Sequence, residues 1–73
     1  MTELPDRNAY LAMYAFLETY FERTRSEDVA ALLADIGLLA HGGPADSAVI
    51  IEWRDALARV AEGRVDGKRR LYR

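Results

Sequence analysis

Residues 35–53 read DIGLLAHGGPADSAVIIEW, a stretch that could form either an active-site loop or a joint between two helices. It contains the only histidine and the only tryptophan of the chain. Helices often end at a glycine in the left-handed conformation, so Gly37 is predicted to end a helix. The Gly-Gly-Pro sequence at 42–44 is typical of a turn. Asp46 can cap the helix that follows. The stretch therefore predicts a joint, with His41 in an exposed turn.

Apolar residues recur at helical spacing before, within and after this joint. They predict three helices, over residues 6–24, 26–36 and 46–63. On the first helix the apolar arc covers about half of the surface, which is typical of a helix central to a bundle. The predicted inner faces, in chain order, are Tyr10, Met13, Tyr14, Leu17, Tyr20 and Phe21 with Phe16 at the edge; Val29, Leu32, Leu33 and Ile36; and Val49, Ile50, Trp53, Ala56, Leu57 and Val60.

Short polar side chains and a glycine mark the expected helix ends. Asp6 or Asn8 is placed to cap the first helix and Ser26 the second. Each of these side chains has an oxygen that can accept a hydrogen bond from a backbone N–H that the helix leaves unpaired. Gly63 is expected to end the third helix.

The predicted fold is all-α: a compact bundle of three main helices, with room for a short fourth element at the C-terminus. The 73 residues are expected to form a single domain, residues 1–73. A chain of this size buries only about 60% of its unfolded surface, so it depends on regular helix packing, a disulfide, a metal or a partner. Cysteine is absent and histidine occurs once, which leaves helix packing and a partner.

Charge is divided unevenly along the chain. Residues 1–62 carry eleven acidic and five basic side chains, a net charge of −6, whereas residues 63–73 carry one acidic and five basic, a net charge of +4. An acidic body attracts basic partners and repels phosphate backbones. The basic tail, residues 64–73, is expected to be a mobile or docked terminus. A lesser alternative is a small nucleic-acid-associated regulator in which this tail contacts phosphate.

No pattern in the chain predicts catalysis, a metal site or a cofactor. His41 has no cysteine to act with, and serine occurs only at two predicted helix starts, so no set of nucleophile and base can be assembled. The glycines at 42–43 lack the spacing of a phosphate-binding loop. Neither a signal peptide nor a membrane span is recognisable. We therefore expect a cytoplasmic protein that is not an enzyme.

Two outward strips place acidic residues beside an apolar one, which is Leu11 on the first helix and Ile51 on the third. Apolar anchors among complementary charges are typical of tight protein interfaces. Asp35 is a further candidate, because the helix dipole disfavours an acid at the C-terminal end of a helix, where Asp35 is predicted to lie. The predicted partner-binding residues are Glu18, Glu22, Asp35, Ile51, Asp55 and Glu62.

The aromatic arc of the first helix supports an alternative function. A bundle of three helices can leave part of such a wide arc uncovered, and tyrosine is enriched at protein interfaces. Tyr10, Tyr14 and Tyr20 therefore also fit a surface for self-association. The alternative is a homo-oligomeric scaffolding or interaction module.

Residues 10–57 carry motifs that resemble a group of short bacterial proteins. The segments are YLAMYAFLETYFERTRSEDVAALLADIGLL, HGGPADSAVIIEW and its continuation RDAL. The group has a tyrosine-rich first helix, an S-[DE]-D start to the second, an L-L-x-D-[IM]-x-L-L end, and a glycine-containing turn before A-D-P-A and W-x-x-W. The matching positions are Tyr10, Tyr14, Leu17, Tyr20, Ser26, Asp28, Leu32, Leu33, Asp35, Asp46, Ala48 and Trp53.

Several proteins of that group are similar to immunity proteins of bacterial toxin systems, including contact-dependent growth inhibition. The resemblance implies a helical protein that binds and neutralises a toxin domain made by the same bacterium. The chain departs from the pattern at Ser47, where the group has proline, at Ile50, which replaces the first tryptophan, and at Ile51, where the group is acidic or polar. The changes in the third helix would alter which partner is accepted.

Overall fold

The structure is a computed structural model that describes residues 4–70. It contains three α-helices, which are α1, Arg7–Thr24; α2, Glu27–Ile36; and α3, Ala48–Ala61. No β-strand occurs among the described residues, and none of their helices is long and apolar enough to cross a membrane. The prediction of an all-α fold with three main helices is confirmed.

A two-residue connection joins α1 to α2. Arg25 adopts the left-handed conformation (φ 55°, ψ 28°), and its N–H donates a 2.7 Å hydrogen bond to the Phe21 carbonyl. Ser26 then caps α2 as predicted, because its Oγ accepts a hydrogen bond from the Val29 N–H at 3.3 Å. The two helices form a hairpin in which the start of α1 lies close to the end of α2.

Tyr10 connects the two ends of this hairpin. The side chain is fully buried, and its hydroxyl donates a 2.7 Å hydrogen bond to the Ile36 carbonyl. That carbonyl belongs to the last turn of α2, whose C=O groups have no partner within the helix. A buried carbonyl without a donor costs about 1–3 kcal/mol, so Tyr10 removes a penalty as well as filling space.

Trp53 attaches α3 to the hairpin. Its ring meets the Tyr10 ring edge to face, with the centroids 5.0 Å apart and the planes at 88°. Its indole N–H donates a 2.7 Å hydrogen bond to the Pro5 carbonyl, so the segment before α1 is fixed to α3. The buried side chains that complete this core are Leu4, Ile36 and Ile50.

The joint between α2 and α3 is a small hairpin-like loop. Leu38 and Pro44 form an isolated antiparallel bridge, and next to it the Ala45 N–H donates to the Gly37 carbonyl at 2.8 Å. Proline fits here because neighbouring residues make the backbone hydrogen bonds of the bridge. Gly42 reverses the chain with φ 92°, a conformation that glycine adopts without strain. The sequence predicted this turn.

Two of the predicted helix ends form differently. Gly37 ends α2 with φ −58° and ψ 139° instead of the left-handed conformation, because its carbonyl takes part in the loop. Asp6 precedes α1 in a left-handed conformation (φ 54°) without a side-chain cap, and Asn8 lies inside the helix. At the start of α3 the N-cap position is Ser47, whose side chain makes no capping bond. Asp46, one residue earlier, supplies the capping oxygen, since its Oδ1 accepts a hydrogen bond from the Ala48 N–H at 3.0 Å.

The C-terminal segment begins at Gly63, which follows α3 with φ 73°. Residues 64–70 are exposed and form neither helix nor strand, so no fourth element occurs in this part of the tail. The last residues of the predicted basic tail, 71–73, lie outside the described residues.

The inner faces of the helices close only in part. Four residues predicted for an inner face or its edge are exposed instead: Phe16 (69%), Tyr20 (38%), Leu32 (43%) and Val60 (60%). The core prediction is wrong at these positions, because only the first part of α3 packs against the hairpin. The radius of gyration is 13.3 Å, whereas a compact domain of this length has about 11 Å.

Tyr10→Phe should lower the free energy of unfolding by about 1–3 kcal/mol, because the Ile36 carbonyl stays buried without its donor. Urea denaturation followed by circular dichroism measures the loss. Tyr20→Phe is the matched control: that side chain is partly exposed, so the change should stay within about 0.5 kcal/mol. Equal losses for the two variants would contradict the role given to Tyr10.

Burial raises the pKa of the Tyr10 hydroxyl above its ordinary value of 10.0. The stability that the protonated hydroxyl contributes is fully present below about pH 10 and is lost as the pH rises through the raised pKa. We expect the urea midpoint of the native chain to fall above about pH 10 and to fall less in Tyr10→Phe. Parallel declines would show that another group controls alkaline unfolding.

Candidate functional site

All six predicted partner-binding residues are exposed. They are distributed over the three helices: Glu18 and Glu22 lie on α1, Asp35 on α2, and Ile51 and Asp55 within α3, with Glu62 just beyond its end. Side chains four or seven positions apart share a helix face, so the structure groups these residues by helix.

The α3 strip consists of Ile51, Asp55 and Glu62. Ile51 is 70% exposed, which is a large fraction for an isoleucine. The Asp55 carboxylate lies 3.2 Å from Arg59 Nε, and the Glu62 carboxylate lies 2.8 Å from Arg64 Nε. Both pairs are exposed to solvent and contribute little to stability, so a partner's cations can replace these local ones.

The α1 strip consists of Leu11, Glu18 and Glu22. Leu11 is exposed, and neither carboxylate forms an ion pair with any residue in the described range 4–70. Beside the strip, Leu11 borders a hollow of about 250 Å³ that Tyr14 and Leu38 also line. The strip therefore combines uncompensated negative charge with accessible apolar surface.

A third surface is an open groove between the helices. It has a volume of about 300 Å³ and is lined by Tyr10, Met13, Leu32, Ile36, Val49, Glu52, Trp53 and Ala56. We call it the inter-helix groove. Glu52 is the one charged side chain among these lining residues.

Sequence reasoning assigned most of the groove residues to a closed core and did not predict a groove. Leu32 is 43% exposed because α3 does not cover that part of α2. Apolar periodicity identifies the helix faces that turn toward each other, but it contains no measure of how tightly they close. The unusually wide apolar arc of α1 was the one feature of the sequence that could have indicated a groove, since three short helices cover it only in part.

Carboxylates border the groove on two helices. Asp28 and Asp35 lie four residues before and three residues after Leu32, and so share its face of α2. Glu52 lines the groove from α3. Within residues 4–70 none of the three forms an ion pair. Helical spacing therefore places Asp35, like Asp28, beside the inter-helix groove and not in either predicted strip.

The surroundings of His41 are those of a structural loop. Its Nδ1 accepts a 3.1 Å hydrogen bond from the Gly43 N–H, which fixes the ring over the turn. A hollow of about 190 Å³ beside it is lined by Pro44, Ser47 and Ile50. No cluster of three His, Cys, Asp or Glu in the described part of the chain is arranged to hold a metal.

Two arginines of the tail form ion pairs with nearby acidic side chains. Arg70 lies 3.3 Å from the Asp66 carboxylate, which also accepts a 2.8 Å hydrogen bond from the Lys68 N–H. Arg64 pairs with Glu62 at the end of α3. These contacts reduce the positive charge that the tail could offer to a phosphate backbone.

Ile50 and Ile51 are adjacent residues of α3, and their substitution tests which side of this helix faces the core. Ile50 is buried and Ile51 is exposed, so Ile50→Ala should destabilise the fold by about 2–5 kcal/mol. Ile51→Ala should change stability by less than about 0.5 kcal/mol. Thermal or urea unfolding of the two variants decides the point. A large loss for Ile51→Ala would mean that this side chain is part of the core.

Comparisons with protein families, with curated proteins and with solved structures find no match to this chain. The resemblance to immunity proteins therefore stays a prediction from sequence motifs. The exposed apolar and acidic side chains are what remains to indicate a function.

Proposed function

We propose that this chain is a protein-binding module that neutralises a toxin domain made by the same bacterium, in the manner of an immunity protein. The proposal places the chain in the cytoplasm and involves no catalysis and no cofactor. Its partner is a protein with a basic surface.

The observation that carries the proposal is the balance of exposed and buried apolar side chains. Among residues 4–70, four hydrophobic residues form the buried core and eight large ones are exposed. The exposed ones are Leu11, Phe16, Tyr20, Leu32, Leu39, Ile51, Val60 and Val65. A contiguous apolar patch bordered by polar groups is typical of sites that another protein covers, and helical spacing places the exposed Phe16 and Tyr20 next to each other on one face of α1.

The distribution of charge indicates the kind of partner. The net charge of −6 on residues 1–62 attracts a basic protein and accelerates its association. A toxin that acts on nucleic acid needs a basic cleft to hold phosphates. An acidic helical surface would enter or cover that cleft, and an exposed anchor such as Ile51 would supply the desolvated centre of the contact.

Self-association is the second candidate function, because the aromatic residues of α1 are incompletely covered. Phe16 is 69% exposed, and the Arg23 guanidinium lies 4.9 Å from the centre of the partly exposed Tyr20 ring. A homo-oligomer could bury this part of α1 between copies. Sedimentation at micromolar concentration distinguishes the two functions, since a persistent monomer removes the second.

The experiment begins with the gene immediately upstream. If it encodes a large secreted protein with a variable C-terminal domain, that domain is expressed in a bacterial host with and without this chain. We expect the domain to arrest growth and the chain to restore it. An upstream metabolic gene, or no rescue despite normal expression, would contradict the proposal.

Charge reversal then tests the binding surface on the same pair of proteins. Glu18→Lys combined with Asp55→Lys should lower the association rate by about tenfold or more at low salt and weaken its salt dependence. The matched control, Glu27→Lys with Asp66→Lys, also reverses two exposed carboxylates and so changes the net charge by the same +4, but leaves both acidic strips in place. Circular dichroism confirms that the variants remain folded. Equal rates for the two double variants would remove the role given to the acidic strips.

A further inference from the structure

We propose that the inter-helix groove binds an amphipathic helix of the partner protein, one that has basic residues beside its apolar stripe. The inference rests on the proposed function in taking the occupant from a partner protein. It goes further by assigning a binding site other than the two acidic strips and by specifying the chemistry of the segment that fills it.

The shape and lining of the groove fit a helix. Its walls come from all three helices, and Leu32 stands accessible at its border. On α1 the apolar surface continues from Met13, which lines the groove, to the exposed Phe16 and Tyr20, three and seven positions further along the same face. A helix recognised in a groove inserts a row of anchors at such intervals.

A small polar ligand fits the groove poorly. Small-molecule sites combine apolar walls with several converging polar groups. Here the Tyr10 hydroxyl is already bonded to the Ile36 carbonyl, and the Trp53 N–H is bonded to the Pro5 carbonyl. Glu52 is then the one lining side chain with free hydrogen-bonding capacity. The groove offers apolar contact and negative charge, but little that would orient a metabolite.

The carboxylates at the border determine the charge of the occupant. Asp28, Asp35 and Glu52 have no ion-pair partner within the described residues, so the border is negative. Lysine or arginine on either side of an apolar stripe would pair with these groups as the stripe enters the groove. A second copy of the chain docked by the same groove would instead bring like charges together. The charge pattern therefore selects a basic helix.

Trp53 provides the measurement, because it lines the groove and is the only tryptophan of the chain. The probe is a synthetic amphipathic helix of leucine and lysine, with leucines on one face and no aromatic residue. We expect a saturable blue shift of tryptophan emission that weakens as salt is added. A peptide with glutamate in place of lysine, and one of the same composition without the apolar stripe, should produce no saturable shift.

Variants of the chain locate the contact. Leu32→Ser should weaken peptide binding by about tenfold, the effect of losing one apolar anchor. Asp28→Asn with Asp35→Asn and Glu52→Gln should weaken it by a similar factor and remove most of the salt dependence. Leu39→Ser is the control outside the groove and should bind the peptide as the native chain does, since Leu39 is 48% exposed, much like Leu32, but does not line the groove.

The inference is overturned if the glutamate peptide binds equally well, if Leu32→Ser has no effect, or if Leu39→Ser weakens binding as much. It is also overturned if tryptophan emission shifts with concentration of the chain alone, since a second copy would then fill the groove. Growth rescue without peptide binding would remove the groove assignment and leave the proposed function intact. Peptide binding without growth rescue would support the groove assignment and remove the proposed function.

Discussion

The hydrogen bond from the Tyr10 hydroxyl to the Ile36 carbonyl is the contact on which the rest of the structure depends. It closes the helical hairpin at its open end and satisfies a carbonyl that α2 cannot pair internally. The same ring also packs edge to face against the Trp53 ring, so one side chain touches all three helices. In a chain with neither disulfide nor cysteine, this aromatic and polar contact performs the role that a covalent link has in other small domains.

Much of the helical architecture could be predicted from sequence because its determinants are local. Gly63 marked a helix boundary through its own conformational preference, and Ser26 and Asp46 did so through their side-chain oxygens. The left-handed Arg25 was not predictable, since a non-glycine residue in that conformation depends on how α1 and α2 pack. The left-handed conformation predicted for Gly37 was wrong for a related reason. The Gly37 carbonyl accepts a hydrogen bond within the loop that follows, and that loop depends on pairing between residues distant in sequence.

Of the candidate surfaces, too, only those with local determinants could be predicted from the sequence. Exposure of Ile51 followed from its position outside the apolar arc of α3, and periodicity alone was sufficient to predict it. The groove was not predictable, because Leu32 and Val49 satisfy the pattern of a closed core as well as that of an open one. Whether such residues meet depends on the angle and offset between α2 and α3, which a single sequence does not encode in any local motif.

Trp53 and Pro5, joined by the indole N–H, are 48 positions apart in the chain. The α1–α2 hairpin needs only a two-residue connection, so its ends can meet at small entropic cost. Attachment of α3 through this bond requires the chain from Pro5 to Trp53 to be in place. During synthesis the hairpin can therefore assemble first, with its apolar side still uncovered, and α3 packs later against the segment that precedes α1.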